Sequence, residues 1–120
     1  MLLRAMNRSG FTKLLRDGLR ADAFVYGGYS AGVCILTPSL RGIELVDAPL
    51  DVPAGYDPEP TRECLGILDY FVAPHYRSPH PESAAIEKVV EYFIDHHMPF
   101  RALRDGEAIL IDGDHEEVLR

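Results

Sequence analysis

Apolar residues recur at helical spacing from the first turn of the chain. Leu2, Leu3 and Met6 are followed by Phe11, Leu14, Leu15 and Leu19, with Arg4, Arg8, Lys13, Arg16 and Arg20 between them. The pattern predicts an amphipathic helix over residues 2–20, broken into two pieces at Ser9-Gly10. The next apolar run, "AFVYGG", is short, rich in β-formers and closed by paired glycines, which predicts a buried strand. "SAGVCILTP" then reads as a short helix stopped by Pro38. Residues 39–64 carry Pro49, Pro53, Pro58 and Pro60, and irregular excursions of that length in a compact domain are usually functional. "LDYFVAPHY" predicts a second strand that ends at Pro74-His75. "SPHPESAAIEKVVEYFIDHH" predicts a helix with Pro81 near its first turn and Glu82 near its positive end; Ile86, Val89, Val90, Phe93 and Ile94 form its apolar stripe. Short strands follow around Asp105-Gly106 and Asp112-Gly113, both hairpin signals.

Strands alternating with helices, then terminal hairpins, make an α/β fold with a parallel sheet, and the length allows one domain over residues 1–120. The chain opens directly on a helix, with no strand before "AFVYGG". The expectation is therefore a partial domain whose sheet lacks its N-terminal strands, leaving the first helix little to cover. Composition adds limits. At 47% hydrophobic and 26% charged residues the chain is an ordinary globular one, and its net charge of -7 argues against nucleic acid or an anionic membrane surface as partner. Arginines at positions 4 and 8 break the opening apolar run, so no signal peptide or membrane span is expected. Cys34 and Cys64 form no C-x-x-C pattern and read as reduced thiols of a cytoplasmic protein.

The candidate chemistry centres on Gly28-Tyr29-Ser30-Ala31-Gly32, a G-x-S-x-G pentapeptide at the junction between a predicted strand and a predicted helix. Chance gives such a match in roughly one chain of this length in twenty, so its surroundings matter more than the match itself. In a strand–turn–helix setting, Gly28 and Gly32 permit a sharp turn, the Ser30 hydroxyl is lifted above the sheet, and the Ala31 amide points to where an oxyanion would form. Serine needs a base. Of five histidines, His75 ends a strand on the side where α/β sites gather, and His80 is its competitor in a Pro-His-Pro turn. His96 and His97 end a helix, and His115 lies in an acidic turn. Glu44, Asp47 and Asp51 are the carboxylates available to orient the imidazole. His75 and His80 with Asp69 or Glu82 could be assembled into metal ligands, but their spacing matches no metalloenzyme signature and no metal is assigned.

Three stretches, "YGGYSAGV", "VAPHYRSPHPESAAIEKVVEYF" and "PFRALRDGEAILIDG", resemble the peptidase E and cyanophycinase family of serine peptidases, and the resemblance covers essentially the whole chain. It implies a class I glutamine amidotransferase-like fold with a serine nucleophile. Ser30 then matches the nucleophile, His75 the general base, Ala31 one oxyanion-hole amide, and Glu44 the acid, with Asp47 next. Two departures stand out. The family's N-terminal strands and Gly-Gly-Asn loop, which bears the second oxyanion donor, have no counterpart before Leu2. The arginine with which aspartate-specific members hold substrate, near the start of the helix after the histidine, is replaced by "ESAAIEK". Arg77 and His80 are the side chains left to bind substrate there.

The resulting expectation is a hydrolase of small peptides that forms an acyl-enzyme on Ser30 and needs no cofactor. The alternative is a catalytically weak paralogue that serves as an interaction protein, pairing an open sheet edge with another chain, including a second copy of itself.

Overall fold

The two-piece opening helix forms as its periodicity predicts. In the computed structural model, which describes residues 1–46, 52–59 and 61–120, α1 (Leu2–Ser9) and α2 (Phe11–Arg20) are separated by Gly10 at φ 81°. That left-handed conformation is readily available to glycine alone. Leu3, Met6 and Leu15 are buried against Ile35 and Leu65, so the inner face of the helix pair is covered by the chain's own later segments rather than by a sheet. Leu2, Phe11 and Leu14 remain exposed.

A short helix, α3 (Ala31–Cys34), follows, and a 3-10 turn occupies Ile43–Leu45. The excursion after α3 closes on itself through a bridge between Ser39 and Glu63 and a bond from the Leu40 amide to the Arg62 carbonyl at 2.8 Å. The second predicted strand is β1 (Phe71–Ala73) and the predicted helix after it is α4 (Ser83–Asp95), with Ile86, Val89, Val90 and Phe93 buried. Ile94, assigned to that stripe from its spacing, faces solvent. The helix stops because His97 turns left-handed at φ 54°. Its amide then bonds the Ile94 carbonyl, and the Met98 amide bonds the Phe93 carbonyl at 2.9 Å. This paired capping pattern drops Met98 into the core beside Phe93.

From there β2 (Phe100–Ala102) lies parallel to β1, with Phe71 opposite Phe100 and Ala73 opposite Ala102. Strand, helix and parallel strand make a βαβ unit around its own core of Ala73, Ile86, Val89, Val90 and Phe93. The last two strands, β3 (Ala108–Asp112) and β4 (His115–Leu119), form an antiparallel hairpin turning at Gly113. Ile109 and Val118 pack it on Leu68, Tyr70, Val72 and Leu103. Glu116 ties it down further, accepting from the Tyr70 hydroxyl at 3.0 Å and pairing with Arg101 at 2.9 Å.

Two expectations change. Asp105-Gly106 is a turn but not a hairpin, because β2 takes β1 as its partner and β3 takes β4. Residues 23–28, predicted as a buried strand, have no strand beside them among the described residues, and Val25 is 96% exposed. The β-forming composition is there; a neighbouring ladder is not. No described helix is long and apolar enough to cross a membrane.

Candidate active site

Ser30 stands immediately before α3 with φ 51° and ψ −120°. These are the angles of the first central residue of a type II′ turn, a place glycine normally takes, and holding serine there costs on the order of 1–3 kcal/mol. The neighbouring sequence makes the conformation possible. A Cβ on Gly28 would lie 2.6 Å from the Gly32 carbonyl oxygen, so only glycine lets the incoming chain pass this close to α3. The Tyr26 hydroxyl donates to the same Gly32 oxygen at 2.7 Å and clamps the entry to the exit of the turn. The Gly32 amide bonds back to the Tyr29 carbonyl at 2.8 Å, whereas the Ala31 amide has no acceptor among the described residues. It is a donor held ready beside the serine. Cys34, one turn further on, is buried, which pushes its thiol up to about 12. Burial likewise pushes the Cys64 thiol up to about 11, so neither sulfur competes as a nucleophile near neutral pH.

His75 follows β1 in a second left-handed conformation, φ 60°. Its Nδ1–H donates to Asp105 Oδ1 at 2.7 Å, and its Nε2 is buried without a hydrogen-bond partner. An ionised carboxylate can only accept, so the pair fixes the proton on Nδ1 and leaves the lone pair on Nε2. Asp105 is positioned in turn by its own amide, which donates to Ser78 Oγ at 2.8 Å. Ser30, His75 and Asp105 line one cavity of about 390 Å³, together with Arg104 and Glu107. A second cavity of about 210 Å³ also reaches Ser30 and includes Ala31, walled by Leu3, Ile35 and Ile86 with Glu82 as its acidic group. Ser30 therefore lines both spaces.

The other residues picked out in the sequence fall elsewhere or change role. Glu44 sits on the 3-10 turn and faces a separate cavity with Arg4, Thr61 and Arg62. It is not the carboxylate beside His75, because that turn packs on the C-terminal half of α4, where Gly42 meets the Phe93 ring. Asp47 and Asp51 lie outside the described residues. Arg77 does not line the serine cavity. Its guanidinium lies over the Tyr76 ring and pairs with Glu87 at 3.6 Å, both ends solvent-exposed. His80 does reach the site, stacked on His75 with ring centroids 3.6 Å apart.

The sequence profile of "Peptidase family S51" matches residues 1–119. The chain belongs to this peptidase family. A Streptomyces coelicolor protein named Peptidase E is 31% identical over 94% of this chain and 45% of its own length. A Drosophila melanogaster protein named "Probable alpha-aspartyl dipeptidase" is 25% identical over 95% of the chain and 46% of its own. The S51 chain thus spans about half the length of these curated relatives. A crystal structure of a candidate peptidase E protein from Listeria monocytogenes EGD-e superposes with a TM-score of 0.78 at 24% identity, over 99% of this chain and 54% of that one. That likeness establishes the fold.

Asp105 and Arg104 line the candidate site without a mark in the sequence. In the linear pattern Asp105-Gly106 is only a strong turn signal. The parallel register reveals Asp105. Ala73 and Ala102 are opposite one another, so the residues just past the two strands, His75 and Asp105, emerge side by side at the same edge of the sheet.

Proposed function

We propose that this chain carries a serine peptidase site in which Ser30 attacks, His75 is the general base, Asp105 orients the imidazole and Ala31 offers an oxyanion donor. The observation that carries the reading is the shared cavity. It joins a serine held in a glycine-like turn to a histidine whose Nδ1 is engaged by a carboxylate and whose buried Nε2 has no hydrogen-bond partner. His75 Nε2 takes the Ser30 proton as Oγ adds to the peptide carbonyl, and the Ala31 amide donates to the developing oxyanion. The imidazolium, balanced by Asp105, then gives its proton to the leaving amine as the C–N bond breaks. Water, deprotonated by the same nitrogen, releases the acid from the Ser30 ester.

Two cavities meeting at the serine suit a small peptide, with the acyl portion on one side and the leaving group on the other. Aspartyl selectivity, suggested by the name of the Drosophila relative, gains nothing from Arg77, which points away; Arg104 is the guanidinium that lines the cavity. The chemistry calls for no cofactor, and two unpaired thiols suit the cytoplasm.

A fluorophosphonate probe tests the assignment, since only an activated serine reacts well with it. Stoichiometric labelling of the protein and none of its Ser30→Ala variant is expected. Equal labelling of both removes Ser30 from the mechanism.

The exposed, unpaired segment 23–28 favours a second reading, in which the chain completes its sheet with strands from another chain, a second copy included. Sedimentation should then show association at micromolar concentration. A stable monomer at all concentrations discards this reading.

A further inference from the structure

The histidine pair beside the serine offers more than a base. His75 and His80 lie face to face with their rings 6° from parallel, and Glu82 stands next to them. One donor atom from each of the three lies within 4.8 Å of the others. The linear spacing of these residues matches no metal signature; the fold of the Pro-His-Pro turn brings them together. We propose that His75, His80 and Glu82 form a binding site for a borderline divalent ion of the zinc type, and that its occupation switches the serine site off.

The donor set is two imidazoles and a carboxylate, which leaves a fourth position open in tetrahedral coordination. His75 is already prepared as a ligand, because its Nδ1–H is held by Asp105, the carboxylate–histidine arrangement that raises ligand basicity and fixes the ring. Its buried Nε2 has no other use of its lone pair in the resting protein. In His80, Nδ1 accepts the Glu82 amide at 3.2 Å, so coordination requires that this hydrogen bond be given up or that Nε2 be the donor. A metal–nitrogen bond of about 2.0–2.1 Å requires the two rings to tilt out of their stack until both lone pairs converge on the ion. Glu82 is exposed at the edge of the cluster, while both rings are half-buried. The start of α4 opposes a cation, and the charges of Glu82 and Asp105 answer it. An ion bound there ties up the nitrogen that must accept the serine proton.

The inhibitory half of this proposal rests on the serine peptidase reading; the binding half does not. Zn²⁺ is titrated into the full chain against a chromophoric chelator, and Co²⁺ absorption reports the coordination geometry. One ion per chain is expected. His80→Gln and Glu82→Gln should each weaken it by at least about 10-fold, the loss typical of removing even a residue that supports a ligand. His96→Ala, at the far end of α4, should change nothing. In a protein that hydrolyses peptides, zinc should inhibit and a chelator restore the rate. Zinc binding that the two variants weaken supports the site even in a protein without peptidase activity, a result that would count against the serine reading alone. Zinc affinity unchanged in the His80→Gln/Glu82→Gln double variant, or no binding by an active peptidase, overturns the site and leaves the peptidase reading standing.

Discussion

His75→Ala is expected to lower kcat for peptide hydrolysis by about 10⁴- to 10⁶-fold with little change in KM. Losses of this size follow removal of the base from a serine triad, because the remaining rate comes from oxyanion stabilisation and binding alone. The reason is local here. His75 lines the cavity that holds Ser30 and its Nε2 has no hydrogen-bond partner, whereas His80, the ring stacked on it, is not part of that lining and has its Nδ1 accepting from the Glu82 amide. The variant should still fold, since the imidazole packs outside all three apolar clusters and the core of the βαβ unit does not include it. Steady-state kinetics beside a thermal melt decide the matter. A rate within tenfold of the parent would mean that another group takes the serine proton.

Asp105→Asn should cost about 10⁴-fold in kcat, and Glu44→Gln should leave it near the parent value. Asparagine keeps the size of the side chain but can donate to Nδ1, which favours the wrong tautomer and places the imidazole proton on Nε2, where the lone pair is needed. It also removes the negative charge that balances the imidazolium after attack. Glu44, on a different turn and in a different cavity, touches neither step. Kinetics of the two variants side by side provide the check. A crippled Glu44→Gln with a tolerant Asp105→Asn would restore the acid to the segment after the elbow helix.

That pair of substitutions marks the boundary of what could be read from the chain. Periodicity located the split opening helix, α4 and the terminal hairpin, because each is defined by near neighbours: a glycine break, a stripe at helical spacing, an Asp-Gly turn; the short helix after Ser30 forms but ends at Cys34, before the expected stop at Pro38. Ser30 and His75 were legible because the first has a local motif and the second closes a strand. The acid had no such mark. Asp105 joins His75 across 30 positions only through the parallel pairing of β1 and β2, and pairing register is a long-range property that a linear pattern does not encode. Residues 23–28 failed in the opposite direction. Their composition is that of a strand, yet a strand exists only where another backbone lies alongside, and no described residue provides one.

Ser30 and His75 share an unusual property, a positive φ on a residue with a side chain. Each such conformation costs on the order of 1–3 kcal/mol, and together they are a sizeable part of the roughly 5–15 kcal/mol by which a domain is stable. Glycine at either position would relieve the strain and remove the proposed nucleophile or base in one step. For a lineage under selection for the reaction, that exit is closed. For a copy released from it, loss of activity and gain of stability run downhill together, so the sequence that decays first at this site is also the one that survives best as a folded scaffold. Retention of both strained side chains in a descendant is therefore a better mark of a working enzyme than retention of the glycines around them.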